Sequence, residues 1–401
     1  MRRNVCRGCG SSDLECFLDL GDMPLAGGFL PNSKEAISRE KKFKLDIFFC
    51  NECSLVQILE IVDPDIMFQD YSFSSSTVHP LVKHFTEYAN WIDEIYAPKK
   101  VLEFGCNDGI LLRPLVNRGV EAVGVDPSGN ISEMGRKFGS EIVTGYFGNQ
   151  DLSNKIIETY GKFDLVTGSN VFAHNDDPHS ILNAAKQVLN DDGVLCLEVM
   201  YAGDLLEQFQ WDTLYHEHLT FYSLTSIKKL FNKNGFEIIN AVRLPMHGGS
   251  LRIAASKSDK HKIDSSVNEI LEHELKLGLG KLDTWRAFGT KAIHKIDVVK
   301  NVLGELSKTK KIWAYGAAGK STLWVNACEM GYLQGVVDAS PLRYGKLMPG
   351  THTPIVSPDE FKKSQPDIVF VTAWNYAENI KNNEPSYNGI WATPLPNLSF
   401  Y

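Results

Sequence analysis

The chain has no apolar run approaching the roughly 20 residues that a membrane-spanning helix needs. Its polar start, Met1-Arg2-Arg3-Asn4, carries no apolar segment of the kind found in secretory leaders. Both absences point to a cytoplasmic protein without a membrane partner. Positive charge is in short supply as well. Lys and Arg number 41 against 49 Asp and Glu, a net charge of −8, whereas a general nucleic-acid binder needs a basic face to neutralise phosphates. Only a local basic patch would fit. There is no short-period repeat and no low-complexity tail, which excludes a repeat array. What is present is ordinary globular material, 43% hydrophobic and 22% charged. A chain of 401 residues is too long for one ordinary core, so two or three domains are expected.

Cysteine is neither absent nor arranged for disulfides. Of the eight, Cys6 and Cys9 form one C-x-x-C knuckle and Cys50 and Cys53 a second, while the other four are scattered. Four thiolates make the tetrahedral soft shell that zinc prefers, and the two knuckles can converge across the turn-rich segment between them. A redox pair fits less well, because neither knuckle opens a βαβ unit. A closed four-thiolate shell has no position for water, so the expected zinc is structural.

Beyond this unit a helix is expected over 78–95, where Leu81, Phe85, Tyr88 and Ile92 recur at helical spacing. From Lys99 onward strands alternate with helices: strands over 101–104, 121–125, 163–167 and 194–198, with a helix over 110–118. A short strand over 251–255 and a long helical region over 265–306 follow. The alternation then restarts with strands over 311–315, 335–338 and 367–372 and a helix over 321–330. This pattern predicts an α/β protein with parallel sheets. Its expected units are a zinc-binding domain (1–75), a Rossmann-like domain (76–248) and a second Rossmann-like domain (249–401).

The first glycine loop reads Glu103-x-Gly105-x-Asn107-x-Gly109 after a strand. The dinucleotide fingerprint fails, since it would need glycines at Asn107 and Ile110. E-x-G-x-x-x-G is instead the pattern of Rossmann-type S-adenosylmethionine-dependent methyltransferases. Asp126, at the end of the next strand, is placed to accept hydrogen bonds from ribose hydroxyls. Asn170 and His174 follow the strand over 163–167 and would face cofactor or substrate at the carboxyl edge of the sheet.

The run Trp211-Asp212-Thr213-Leu214-Tyr215-His216-Glu217-His218 concentrates a phenol, carboxylates and two imidazoles. In an extended segment His216 and His218 share one face; in a helical turn Tyr215 meets His218. The spacing leaves both arrangements open. Neutral imidazole suits proton abstraction near pH 7, and Glu217 is placed to fix its tautomer. A second glycine loop, Ala314-Tyr315-Gly316-Ala317-Ala318-Gly319-Lys320-Ser321, misses the P-loop because Ala314 stands where glycine is required. With Val336-Val337-Asp338 after one helix, it repeats the layout of the first loop, and Lys320 becomes a candidate nucleotide or sugar-diphosphate contact.

The double knuckle with Leu18-Asp19-Leu20-Gly21-Asp22-Met23-Pro24-Leu25-Ala26, the Glu103 loop, Tyr215-His216-Glu217-His218 with Phe221-Tyr222-Ser223, and Tyr315 to Ser321 with Pro349-Gly350-Thr351 together resemble the zinc-containing sugar C-methyltransferases. The resemblance covers essentially the whole chain. It implies transfer of a methyl group from S-adenosylmethionine to carbon 3 of a nucleotide-linked 4-keto-deoxysugar through an enolate. It also implies His218 as base, Tyr215 beside the enol oxygen, Glu217 as an orienting group, His174 as a further active-site histidine and Tyr71 as a sugar contact. His247 and Arg252, in His247-Gly248-Gly249-Ser250-x-Arg252, are candidate diphosphate contacts, Arg252 through its fork. The expected cofactors are S-adenosylmethionine and structural Zn2+, and a monomer is expected. Methyl transfer to RNA or another small molecule, and a non-catalytic nucleotide-binding scaffold, are the competing readings. The acidic balance counts against RNA and the acid/base run against a scaffold.

Overall fold

Strand pairing gives sheets of four, seven, six and two strands among the described residues. The computed structural model describes residues 2–68 and 74–401. The central sheet has seven strands, in the order Glu237–Leu244, Ser250–Ser256, Leu189–Met200, Phe163–Ser169, Lys100–Phe104, Glu121–Asp126 and Glu141–Thr144. The five strands from Leu189–Met200 to Glu141–Thr144 run parallel, and Val101, Leu102, Glu103 and Phe104 are all buried. A near-continuous apolar run is what a parallel strand covered on both faces requires. The buried Glu103 is the exception, and it marks the end of the strand that feeds the glycine loop.

The C-terminal sheet has six strands, five of them parallel, around Ile312–Tyr315 and Ile368–Val371. The N-terminal sheet is antiparallel and draws on two distant stretches of chain. Leu14–Pro24, Lys42–Cys50 and Val56–Ile58 are joined by Thr220–Phe221, which pairs with Val56–Ile58 only two residues beyond His218. A second tie comes from Leu30–Pro31, which pairs with Lys346–Leu347 of the C-terminal unit. One buried cluster contains Leu18, Ile47 and Phe49 from the N-terminal sheet together with Trp211, Trp285, Trp324 and Phe370. The first and last units therefore share a core. Among the described residues, no helix is long and apolar enough to cross a membrane.

Two expectations change. The segment Ser250–Ser256 returns as a hairpin beside Leu189–Met200, with Arg252 opposite Glu198. The central sheet thus runs past the expected boundary at 248, since its last hairpin is antiparallel and breaks the alternating pattern. The helical region over 265–306 is two helices, Ser265–Leu277 and Leu282–Leu306, because Gly278 adopts φ +71° and ends the first in a left-handed cap.

The long helix Leu282–Leu306 lies on the strand Leu14–Pro24, and Gly289 allows the approach. A Cβ there would stand 2.0 Å from the Phe17 carbonyl oxygen. Gly289→Ala is expected to destabilise the protein by about 1–3 kcal/mol, as overpacking does. Thermal unfolding is the check, and an unchanged midpoint would show that the backbone yields at little cost.

Candidate active site and metal centre

The four knuckle cysteines come together. Their sulfurs all lie within 4.8 Å of one another, with Cys6 Sγ 3.5 Å from Cys53 Sγ and Cys9 Sγ 3.5 Å from Cys50 Sγ. Tetrahedral zinc with bonds of about 2.3 Å places its sulfurs about 3.8 Å apart, so the donor set fits the ion. Each knuckle turns through a left-handed residue, Gly10 at φ +84° and Ser54 at φ +65°. The Gly8 amide and the Gln57 side chain donate to Cys6 Sγ at 3.3 and 3.1 Å, the outer bonds that orient a metal ligand. The knuckles dock on the central unit through Arg7, buried and 3.0 Å from Asp176, and through His179, 3.0 Å from the Gly8 carbonyl.

The first glycine loop forms a cradle. Gly105 (φ +64°) packs so tightly that a Cβ would lie 2.6 Å from Val171, and at Gly109 (φ +77°) one would lie 2.3 Å from Ser140 Oγ. Asn107 and Asn170 also take positive φ, +51° and +55°, at the ends of adjacent strands. Asp126 is buried and accepts from the Asn107 and Ser128 amides, each at 2.9 Å. Glu103 is 2% exposed, and its Oε2 and the Oδ1 of Asn170 have no hydrogen-bond partner among the described residues. Burial, then the neighbouring Asp126 and Asp108, pushes the Glu103 carboxyl well above its usual range. Buried oxygens without partners are costly, so the cradle suits a ligand that brings cationic or hydrogen-bonding groups. A contribution that the sequence reading missed comes from Ser74 and Ser76, which donate to the buried Asp108 and cover the loop.

The acid/base run folds as a turn. Trp211–Thr213 is a single 3-10 turn, after which the His218 amide donates to the Tyr215 carbonyl at 2.9 Å. This brings the rings of Tyr215 and His218 to 4.2 Å. The Leu219 amide bonds the Ala173 carbonyl at 2.9 Å, which sets His174 alongside, 5.2 Å from His218 ring to ring. His218 Nδ1 donates to the Thr213 carbonyl at 2.9 Å. A carbonyl only accepts, so in the neutral ring Nδ1 carries the hydrogen and Nε2 is the basic nitrogen. Burial, with His218 adding to it, pulls His174 down to about 3, which keeps that ring neutral.

His216 points the other way. It is buried against the N-terminal sheet, 3.3 Å from the Lys44 carbonyl and edge-on to Phe43. The bond of His218 Nδ1 goes to Thr213, and Glu217 lies next in the chain between the two imidazoles. Its carboxylate faces Gly27, where a Cβ would come within 2.9 Å of Oε1, and burial raises its pKa.

Arg252 is not available to a diphosphate. Its Nε and Nη2 both bond Glu198 Oε1 at 2.8 and 2.5 Å, His84 takes the other oxygen at 2.9 Å, and Tyr88 and Trp91 pack against the guanidinium. His247 lies in the turn Met246–Gly248; Tyr71 falls outside the described residues.

The second glycine loop repeats the bonds of the first. Gly316 donates to Val337 O at 2.7 Å as Gly105 does to Val125 O, and Asp338 accepts from Ala317 at 2.8 Å as Asp126 does from Asn107. Ser321, which a P-loop would turn toward a metal, is buried and bonded to the Gly316 carbonyl and Thr372. Gly319 meets Tyr215, whose hydroxyl would lie 3.2 Å from a Cβ there, and the Lys320 ammonium stands 5.3 Å from the Trp374 ring. The acid/base turn is therefore walled by the second Rossmann-like unit.

Three family profiles match consecutive stretches: a zinc binding domain over residues 6–68, a methyltransferase domain over 81–241 and a C-methyltransferase C-terminal domain over 245–396. The C-methyltransferase NovU of Streptomyces niveus is 31% identical over 401 residues, covering 98% of this chain and 95% of NovU. A ubiquinone biosynthesis O-methyltransferase of Pseudomonas aeruginosa is 31% identical over 114 residues, 28% of this chain and 49% of that protein. Among solved structures, the magnesium protoporphyrin IX methyltransferase ChlM of Synechocystis PCC 6803 aligns with a TM-score of 0.35 at 16% identity, over 44% of this chain and 79% of that one. The assignment rests on the full-length sequence match and on the profiles. With its four-cysteine cluster and Glu103 cradle, the chain belongs to the S-adenosylmethionine-dependent C-methyltransferase family that carries an N-terminal zinc-binding domain.

Proposed function

We propose that this enzyme, working in the cytoplasm as a monomer, moves the methyl group of S-adenosylmethionine to carbon 3 of a nucleotide-linked 4-keto-deoxysugar, with His218 as the base. The observation that carries the reading is the Thr213 carbonyl on His218 Nδ1, which makes Nε2 the basic nitrogen of a ring that packs beside Tyr215 and His174. Methylation at carbon needs a carbon nucleophile, and the mildest route to one is removal of a proton beside a ketone. His218 Nε2 takes that proton, and Tyr215 donates its hydroxyl hydrogen bond to the oxygen on which negative charge collects. His174, held neutral, adds no competing positive charge. When bound, S-adenosylmethionine supplies an electrophilic methyl group. Glu103, Gly105, Asn107, Gly109, Asp126 and Asn170 form its cradle, Asp126 toward the ribose and the two unpartnered oxygens toward donors of the ligand. Lys320 follows Gly319, which meets Tyr215, and is assigned to the anionic diphosphate of the substrate.

Glu103→Gln is expected to weaken S-adenosylhomocysteine binding about 10- to 100-fold, the scale of a lost hydrogen bond to a charged group. Calorimetry reads this directly, and an unchanged affinity would remove Glu103 from the cradle. The reaction itself is tested with a panel of 4-keto sugar nucleotides. Binding that tightens in the presence of S-adenosylhomocysteine, and a product carrying the methyl on carbon 3, are expected. A product methylated on oxygen or nitrogen, or a panel in which nothing binds, overturns the proposal.

A further inference from the structure

Asp212 is fully buried, yet among the described residues no cation bonds to it. Its Oδ2 accepts two indole N–H groups, Trp324 Nε1 at 2.9 Å and Trp374 Nε1 at 2.7 Å, and its Oδ1 has no hydrogen-bond partner among the described residues. The two tryptophans come from separate elements of the C-terminal unit, the helix Gly319–Ala327 and the turn Trp374–Tyr376. Trp211 already meets Trp324 edge-on at 4.6 Å within a large apolar cluster, so cohesion here does not require a carboxylate. A buried carboxyl with an unpaired oxygen is a poor device for stability.

The next residue explains its presence. The Thr213 carbonyl accepts from both His218 Nδ1, at 2.9 Å, and the Tyr215 amide, at 3.1 Å, and so sets both acid/base groups. We infer that Asp212 is a positioning residue that pins the Thr213 peptide to the second Rossmann-like unit and so fixes the His218 imidazole and Tyr215 against the Gly319 wall. The inference rests on the reading of His218 as the base.

Four variants test it: D212A, D212N, W374F and D212A/W374F. In D212A kcat is expected to fall about 30- to 100-fold, the scale of a misplacement near 1 Å, with KM for S-adenosylmethionine within about twofold of wild type. The amide oxygen of D212N still accepts both indoles, and this variant is expected to recover to within about fivefold of wild type. If the effect runs through Trp374, the double variant is no slower than D212A, since the two changes break one bond. Normal kcat in D212A, or additive losses in the double variant, overturns the inference. Should D212A fail to fold, W374F carries the kcat comparison. A substrate-free reading separates this inference from the proposed reaction: diethyl pyrocarbonate modification of His218, followed by peptide mass, is expected to change rate in D212A and W374F and to return toward wild type in D212N. An unchanged rate in the first two overturns the inference whether or not any keto sugar is turned over. No turnover of the panel by the wild type counts against the proposed reaction alone.

Discussion

His218→Ala is expected to lower turnover by about 10²- to 10⁴-fold, the contribution of a positioned general base, while S-adenosylhomocysteine affinity stays at the wild-type level. The split follows from where the ring sits. Its contacts include Thr213, Tyr215, His174 and Phe221, and the cradle around Glu103 and Asp126 is built from the ends of the central strands. His216→Ala provides the contrast. That imidazole is buried against Lys44 and Phe43, so its loss lowers the unfolding midpoint and leaves the chemistry of the folded enzyme near normal. Equal losses of kcat in the two variants, measured on folded protein, would rule out the assignment of the base to His218.

Zinc removal is expected to have the second large effect. Structural zinc sites hold on the order of 10 kcal/mol of apparent binding free energy at neutral pH, more than the stability of most domains. Cys6, Cys50 and Cys53 belong to the same buried cluster as Phe172, Tyr222 and Phe231 of the central unit. Treatment with a strong chelator, or Cys53→Ser, should therefore unfold the knuckles and also loosen the Val56–Ile58 pairing with Thr220–Phe221. The expected result is one zinc per chain by metal analysis, a sharp fall in thermal midpoint on its removal, and loss of turnover that returning zinc restores. A metal-free protein with unchanged midpoint and activity would refute a structural role for the cysteine cluster.

The cysteine knuckles and the Glu103 loop are legible in the sequence because each is a local device: four thiolates at fixed spacing, or a strand, a left-handed turn and a helix within ten or so residues. The turn of Tyr215 and His218 is half legible. Spacing allows the two rings to meet, but the choice rests on the Thr213 carbonyl, which depends on a 3-10 turn that no periodicity signals. Arg252 shows what escapes a linear reading. Its partner Glu198 faces it across an antiparallel register, and only that register shows that the guanidinium is already taken. The strand Leu14–Pro24 is hidden for a different reason, since two register shifts against Lys42–Cys50 place turn-forming residues such as Gly21 inside it. Asp212 lay in plain sight within the acid/base run, and nothing in its neighbours announces two indoles from more than a hundred positions downstream.

The pairing of Thr220–Phe221 with Val56–Ile58 bears on how the protein is made. During synthesis the first three strands of the N-terminal sheet leave the ribosome early, and their last edge then waits until all five parallel strands of the central sheet have emerged. The metal can close the knuckles before that, but the edge stays open to other chains in the meantime. The residues that finally cover it follow directly on those that carry the acid/base groups, so closing the sheet brings the acid/base turn into place before Gly319, Trp324 and Trp374, which wall and pin it, have emerged.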